Sequence, residues 1–248
     1  TVTYDHEVYV VGKGWIPAGD VRVGDPFELV RPKVPWFRTI REIPVEVKDL
    51  NERAYKGYPK LNLPDQWSDG LGEFLGYLFG DGWVTFRPQG GSVGITSSAI
   101  DAEDARKVFA NMQLWSNGRG SERHRTDHAT TPNGNVYQQD QYTFNIGNDG
   151  MCEWLRRLGF GKEAAAKDRR LPTSIWNAPE DAIRGFLRGI YATDGSVFRP
   201  KGRRGVKVRL YSVSPGFLKD VQLLLLQFGI ASHLGSPAST RLGGVYDL

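Results

Sequence analysis

Asp81 and Asp194 occupy the same place in two copies of one pattern, and paired carboxylates carry the clearest chemistry in this chain. Gly72-Glu73-Phe74-Leu75-Gly76-Tyr77-Leu78-Phe79-Gly80-Asp81-Gly82 lies over Gly185-Phe186-Leu187-Arg188-Gly189-Ile190-Tyr191-Ala192-Thr193-Asp194-Gly195, so that three glycines and the aspartate of each copy coincide. Two carboxylates about 4 Å apart repel by roughly 4 kcal/mol at an effective dielectric near 20. Each would also end a helix, where the backbone dipole already contributes negative charge. A divalent cation removes both penalties, and carboxylate and carbonyl oxygens suit Mg2+ or Ca2+ better than zinc. One Asp-Gly pair after a helix is a common stop signal. Two such pairs with one glycine offset point to a shared ion site.

Such a site needs two helices that meet at matching ends. Leu71, Phe74, Leu75, Leu78 and Phe79 recur at helical spacing, as do Ile183, Phe186, Leu187, Ile190 and Tyr191, so both segments read as amphipathic helices. Ser68 or Asp69 caps the first, and Pro179, Glu180 and Asp181 start the second. At about 1 kcal/mol per glycine, Gly72, Gly76, Gly80, Gly185 and Gly189 cost roughly 5 kcal/mol of helix propensity. Their spacing of four leaves a bare stripe that allows close backbone approach. The two helices are therefore expected to pack through their glycine faces, bringing Asp81 and Asp194 together.

The flanking pattern repeats as well. Each helix is followed by a strand (83–87 and 196–199), a Gly-rich turn (88–91 and 200–205), a second strand and a helix (101–112 and 215–228). The first unit continues into a hairpin, 122–130 with 136–146, and a helix near 151–158. The second unit reaches Leu248 earlier, so 244–248 aligns with 141–145 and an unfinished strand is expected there. Residues 1–30 alternate in the manner of strands around Gly12-Lys13-Gly14, and 31–68 is a proline- and charge-rich connection that reads as a boundary.

Composition narrows the function class. Apolar residues at 40% and charged residues at 24% fit a folded globular chain and exclude a mostly disordered one. The longest apolar runs, such as 223–226, fall far short of the ~20 residues of a membrane span. No signal-peptide core follows Thr1. The lone Cys152 can make neither an internal disulfide nor a thiolate zinc site, so a cytosolic compartment is expected. The net charge of +4 is mild. Locally, Arg199, Lys201, Arg203, Arg204, Lys207 and Arg209 run without an acid between them, which suits either a polyanion or a solvated basic face.

The doubled motif resembles the LAGLIDADG homing endonucleases in their single-chain form, over about residues 69–248. The resemblance implies an α+β fold of two pseudo-symmetric αββαββα halves, 69–172 and 173–248, with the motif helices at their interface and a curved sheet from each half in the DNA major groove. It implies that Asp81 and Asp194, with the carbonyls of Gly80 and Thr193, bind Mg2+, for which Ca2+ or Mn2+ substitutes, to hydrolyse one phosphodiester on each strand. Residues 166–172 resemble the block in which a lysine precedes a hydrophobic-proline pair; Arg169 stands where that lysine is expected, and Lys167 is taken as the catalytic helper. Arg87, Gln89, Arg119, Arg123, Arg125, Gln139, Arg199, Lys201, Arg203, Arg204, Lys207 and Arg209 are the candidate DNA contacts, since Arg and Gln suit base edges and the other cations suit phosphates.

The N-terminal stretch resembles the start of an intein splicing domain of the Hint fold. Thr3-Tyr4-Asp5-His6 matches the motif whose histidine polarises the scissile peptide, and Trp15-Ile16-Pro17-Ala18-Gly19-Asp20 with Val23-Gly24-Asp25 matches the end of that block. No Cys or Ser splice residue precedes Thr3 and no terminal His-Asn follows, so the chain reads as an excerpt of an intein. The expected protein is thus an intein-embedded, metal-dependent double-strand DNA endonuclease, monomeric and without a membrane partner. A cleavage-deficient DNA-binding scaffold, or a splicing intein with an inert insert, is the alternative.

Overall fold

The computed structural model describes residues 2–27, 37–46, 50, 60–86, 90–118, 120–130, 134–161, 166–199, 205–235, 238–240 and 243–248. A small hairpin comes first, β1 (Glu7–Val10) antiparallel to β2 (Gly14–Pro17), turning through Gly12 and Gly14, both at positive φ. The first large unit is α1 (Asp69–Asp81), β3 (Gly82–Thr85), β4 (Ser92–Ser98), α2 (Ala102–Ser116), β5 (Ser121–Thr130), β6 (Val136–Gly147) and α3 (Asp149–Arg157). After the short α4 (Thr173–Trp176) come α5 (Glu180–Asp194), β7 (Gly195–Phe198), β8 (Lys207–Ser212), α6 (Pro215–Gln227), β9 (Ala238–Thr240) and β10 (Gly243–Asp247). The α+β class read from the sequence is the one observed.

The glycine stripes organise this architecture. A Cβ on Gly76 would lie 2.9 Å from the Gly189 Cα, and one on Gly189 would lie 2.9 Å from the Gly76 Cα. At Gly72 an added methyl would strike the Ala182 carbonyl, and at Gly185 the Asp69 carbonyl. No L side chain fits between backbones this close, which is why these positions forgo helix propensity. Around the contact, Phe74, Leu75, Phe186 and Ile190 are fully buried. Ser68 caps α1, its Oγ accepting from the Leu71 N–H at 3.2 Å. At the opposite edge Arg188 binds Asp69 and Glu73 across the helix pair.

Both large sheets have the same strand order. One reads β3-β4-β6-β5, the other β7-β8-β10-β9. In the first, Gly82 faces Ile95 and Ser97 faces Tyr142; in the second, Gly195 faces Leu210 and Ser212 faces Tyr246. Tyr246 is therefore the counterpart of Tyr142. The sequence alignment of 244–248 with 141–145, which put Tyr246 on Thr143, is out by one residue, and a one-residue slip exchanges the two faces of a strand. Leu248, opposite Leu210 through two backbone hydrogen bonds, then takes the buried place of Phe144.

Part of the proline-rich connection packs against the large units. Glu42 bridges Gln66, Ile43 and Trp67 are buried in the common core, and Arg41 pairs with Asp181 at 2.9 Å. None of the described helices is long and apolar enough to cross a membrane.

Candidate functional site

The close helix contact carries the two acids to one place. Gly80, the residue before Asp81, lies directly against the side chain of Thr193, the residue before Asp194. Thr193 is held by its Oγ1, which donates to the carbonyls of Gly189 and Ile190. The carbonyls of Gly80 and Thr193 belong to last turns, where helical carbonyls lack partners within the helix. At the end of α1, Thr96 on β4 donates from Oγ1 to the Asp81 carbonyl at 3.0 Å. That bond fastens the acid to the sheet.

The electrostatics show carboxylates under strain of charge. Burial pushes the Asp194 carboxyl up to about 6; the negative charge of Asp81 adds to this and Arg169 opposes it. Asp81 is raised too, by burial first and by Asp101 second. The charge of Asp81 thus reaches Asp194, and desolvated like charges favour a cation. Among the described residues, no cluster of three or more His, Cys, Asp or Glu is arranged to hold a metal ion. Two carboxylates and two helix-end carbonyl groups nevertheless fit Mg2+, which keeps several waters and needs few protein ligands.

The cation beside the acids is Arg169. Its guanidinium donates to the Phe79 carbonyl, two residues before Asp81, and lies 4.3 Å from the centre of the Phe79 ring. Burial lowers its pKa while the Asp194 charge works the other way. Its own carbonyl accepts from Ser214, the cap of α6, at 2.7 Å. Lys167, the helper expected from the basic block, is exposed on the one-turn helix Ala166–Asp168. Position relative to a proline identified the basic block; which of its residues turns inward depends on the Phe79 ring, a tertiary contact that spacing does not disclose.

Strand register divides each sheet into two faces. In the first, Val93, Ile95, Phe144 and Ile146 form the buried face against the helices. The opposite face carries Trp83, Thr85, Ser92, Gly94, Thr96, Gln139, Gln141, Thr143, Arg123 and Arg125, and Asp81 leads into it. Trp83 spreads its indole over Gly94, where any Cβ would collide with it. Of the predicted contacts, Arg123, Arg125 and Gln139 thus share this outward face, with Arg125 held 2.7 Å from Asp127. Gln141 and Thr143 share it too, and only the register identifies them. In the second sheet Lys207 and Arg209 stand outward with Ser196 and Phe198, and the Arg209 guanidinium lies 4.3 Å from the Phe198 ring centre. Arg199 follows β7 and is exposed. Arg87, Gln89, Arg119, Lys201, Arg203 and Arg204 lie outside the described residues.

Thr3 and His6 are far along the chain from these acids, in an open depression with Asp5, Glu7 and Trp15. The His6 N–H donates to the Thr3 carbonyl at 3.3 Å, and the His6 carbonyl accepts from Ala18 at 2.7 Å. Cys152 is buried and unpaired, its thiol pushed up to about 12 by burial.

Several known proteins are similar to this chain. Over 200 residues the chain is 26% identical to the ribonucleoside-diphosphate reductase NrdEB subunit alpha of Bacillus subtilis, covering 76% of this chain and 16% of that protein. Over 248 residues it is 24% identical to the tRNA-splicing ligase RtcB of Pyrococcus abyssi, covering 93% of this chain and 26% of that one. The chain therefore spans about a quarter or less of either relative. Among solved structures, the homing endonuclease I-WcaI bound to its DNA recognition sequence aligns over 82% of this chain and 80% of its own, at 12% identity and a TM-score of 0.43. Residues 181–246, from α5 through β10, match the family model of the LAGLIDADG-like domain.

Proposed function

We propose that this protein is a site-specific double-strand DNA endonuclease that hydrolyses one phosphodiester on each strand with a divalent cation, preferentially Mg2+. The observation that carries this reading is the convergence of Asp81 and Asp194, through glycine-to-glycine helix packing, at the head of two polar sheet faces. Asp81 and Asp194 would hold the cation together with the Gly80 and Thr193 carbonyls, and a metal so bound supplies Lewis-acid polarisation and a more acidic water. Arg169 offers a permanent positive charge beside Asp194, suited to steadying charge on the scissile phosphate. Lys167, exposed two residues away, is left a weaker share. The outward faces of the two sheets are the surfaces that would lie against the duplex.

We assign the whole to an intein. A reductase subunit and an RNA ligase that share this segment over a small part of their lengths support an inserted element rather than a domain serving either reaction. The hairpin that presents Thr3 and His6 would belong to its splicing part, in the cytosol, with the endonuclease acting as a monomer.

The test is cleavage of a library of supercoiled plasmids with random inserts in Mg2+. The parent is expected to linearise a subset, EDTA to abolish this, and Asp81→Asn or Asp194→Asn to lose at least about 100-fold in double-strand cutting. An Asp81→Asn, Asp194→Asn double variant that cut like the parent would refute the assignment; a parent that retarded DNA without ever cutting it would leave a binding scaffold.

A further inference from the structure

We infer that the two halves engage DNA by different chemistry: the first half reads sequence through uncharged polar groups, whereas the second anchors the backbone through charge. The inference rests on the endonuclease reading and assigns a task to each sheet face. It follows from comparing the outward positions of the inner strand pairs, which register matches one to one. Trp83, Thr85, Ser92, Gly94 and Thr96 of the first sheet correspond to Ser196, Phe198, Lys207, Arg209 and Tyr211 of the second.

No residue of the first set is charged. Its hydroxyls are already arranged, Thr85 Oγ1 lying 3.1 Å from Ser92 Oγ, and the next strand adds Gln141 and Thr143 to the same face. Amides and hydroxyls suit base edges and contribute little counterion release. The described cations on this face stand on the outer strand β5, where Arg125 is paired with Asp127 and Arg123 lies opposite Thr143, so the inner strand pair itself carries none. In the second set the two central positions are Lys207 and Arg209, with Arg209 stacked against Phe198 and oriented by it. Bulk is also exchanged: Trp83 and Gly94 in one half stand where Ser196 and Arg209 stand in the other. Each cation that neutralises a phosphate adds about 0.9 to the salt slope of binding, irrespective of sequence. A target duplex should therefore show strong base preference in one half-site and weak preference in the other.

Selection from a pool of fully randomised duplex DNA, bound in EDTA so that nothing is cut, tests this. The parent is expected to enrich duplexes with positional preference concentrated on one side of the centre. On an enriched duplex, Gln141→Ala should weaken binding about 5- to 150-fold, with little effect on random DNA and an unchanged salt slope. The Lys207→Ala, Arg209→Ala variant should lower the slope by about 1.8, weaken enriched and random duplexes alike, and keep the parental melting temperature; Lys207→Arg should keep the parental slope. Equal preference in both half-sites, or an unchanged slope for the double variant, would overturn the division of labour and leave the endonuclease reading standing. A parent that retains no duplex at all would overturn both.

Discussion

Asp194 sits where ionisation is opposed by burial and by Asp81, so its carboxyl is raised to about 6 from 3.8. A raised carboxyl binds its proton more tightly in the folded state than in the unfolded one, and the charged form subtracts from stability as pH rises through that window. Between pH 4 and pH 6 the metal-free protein should therefore lose stability on this account. Asp194→Asn is expected to remove the loss: a gain of about 1–2 kcal/mol at pH 7 after allowance for partial exposure, or roughly 2–8 °C in melting temperature. The gain should vanish at pH 4, and thermal melts of both proteins across that range in EDTA check it. The neighbouring cation gives a second prediction. Arg169→Ala removes the donor to the Phe79 carbonyl and the charge beside Asp194, so cleavage should fall by about 10²-fold or more. Lys167→Ala, on an exposed turn, should change the rate less than about 3-fold. Single-turnover rates on a linear duplex measure both, and equal losses would return the role to Lys167. The acids were legible because two copies of the motif coincide. The identity of the inward-facing base was not, because it is decided by an aromatic ring ninety residues away in the chain.

At the scale of the helix pair, the glycines make opposite predictions according to the face they occupy. Gly76→Ala adds a methyl 2.9 Å from Gly189 Cα, between two backbones that cannot yield. Overpacking there should cost at least about 1–3 kcal/mol, more than the ~1 kcal/mol of propensity gained. Gly70→Ala lies on the same helix with only Asn111 Nδ2 within reach, at 3.5 Å, and should be neutral or stabilising by up to about 1 kcal/mol. Chemical denaturation of the two variants separates stripe from propensity: if both behave alike, the stripe is not what joins the helices. The periodicity of four made this contact readable from the sequence, and the strand–turn–strand–helix succession after each copy made the equivalent sheets readable too. Register was less so. The alignment of 244–248 is one position off, since a short strand that opens on Gly243 and Gly244 has little apolar alternation to pin it, and the pairing of Tyr246 with Ser212 and of Leu248 with Leu210 resolves the phase.

For the whole molecule, the pseudo-twofold arrangement joins the halves by contacts that neither can make alone. The motif helices bury Phe74, Leu75, Phe186 and Ile190 about their crossing. Arg188 on α5 grips both Asp69 and Glu73 on α1, and these acids raise its pKa further. Arg170, in the segment between the halves, binds the buried Asp220 of α6 through two nitrogens, at 2.7 and 2.6 Å, while the Leu171 N–H donates to the same carboxylate. A half separated from the other would expose the glycine stripe and its apolar rim, so the two large units should unfold together. Calorimetry is expected to give one transition for them, with calorimetric and van't Hoff enthalpies in agreement. Arg170→Ala leaves the Asp220 carboxylate buried with its charge uncompensated, at a cost of about 3 kcal/mol or roughly 6–12 °C. Because Asp220 anchors the second half to the inter-half segment, that loss should move the single transition as a whole. A melt that instead divided in two, with only the second-half signal displaced, would show that the helix interface does not couple the halves, and the proposed site, built from one acid of each, could not then be held in place through the proposed cleavage.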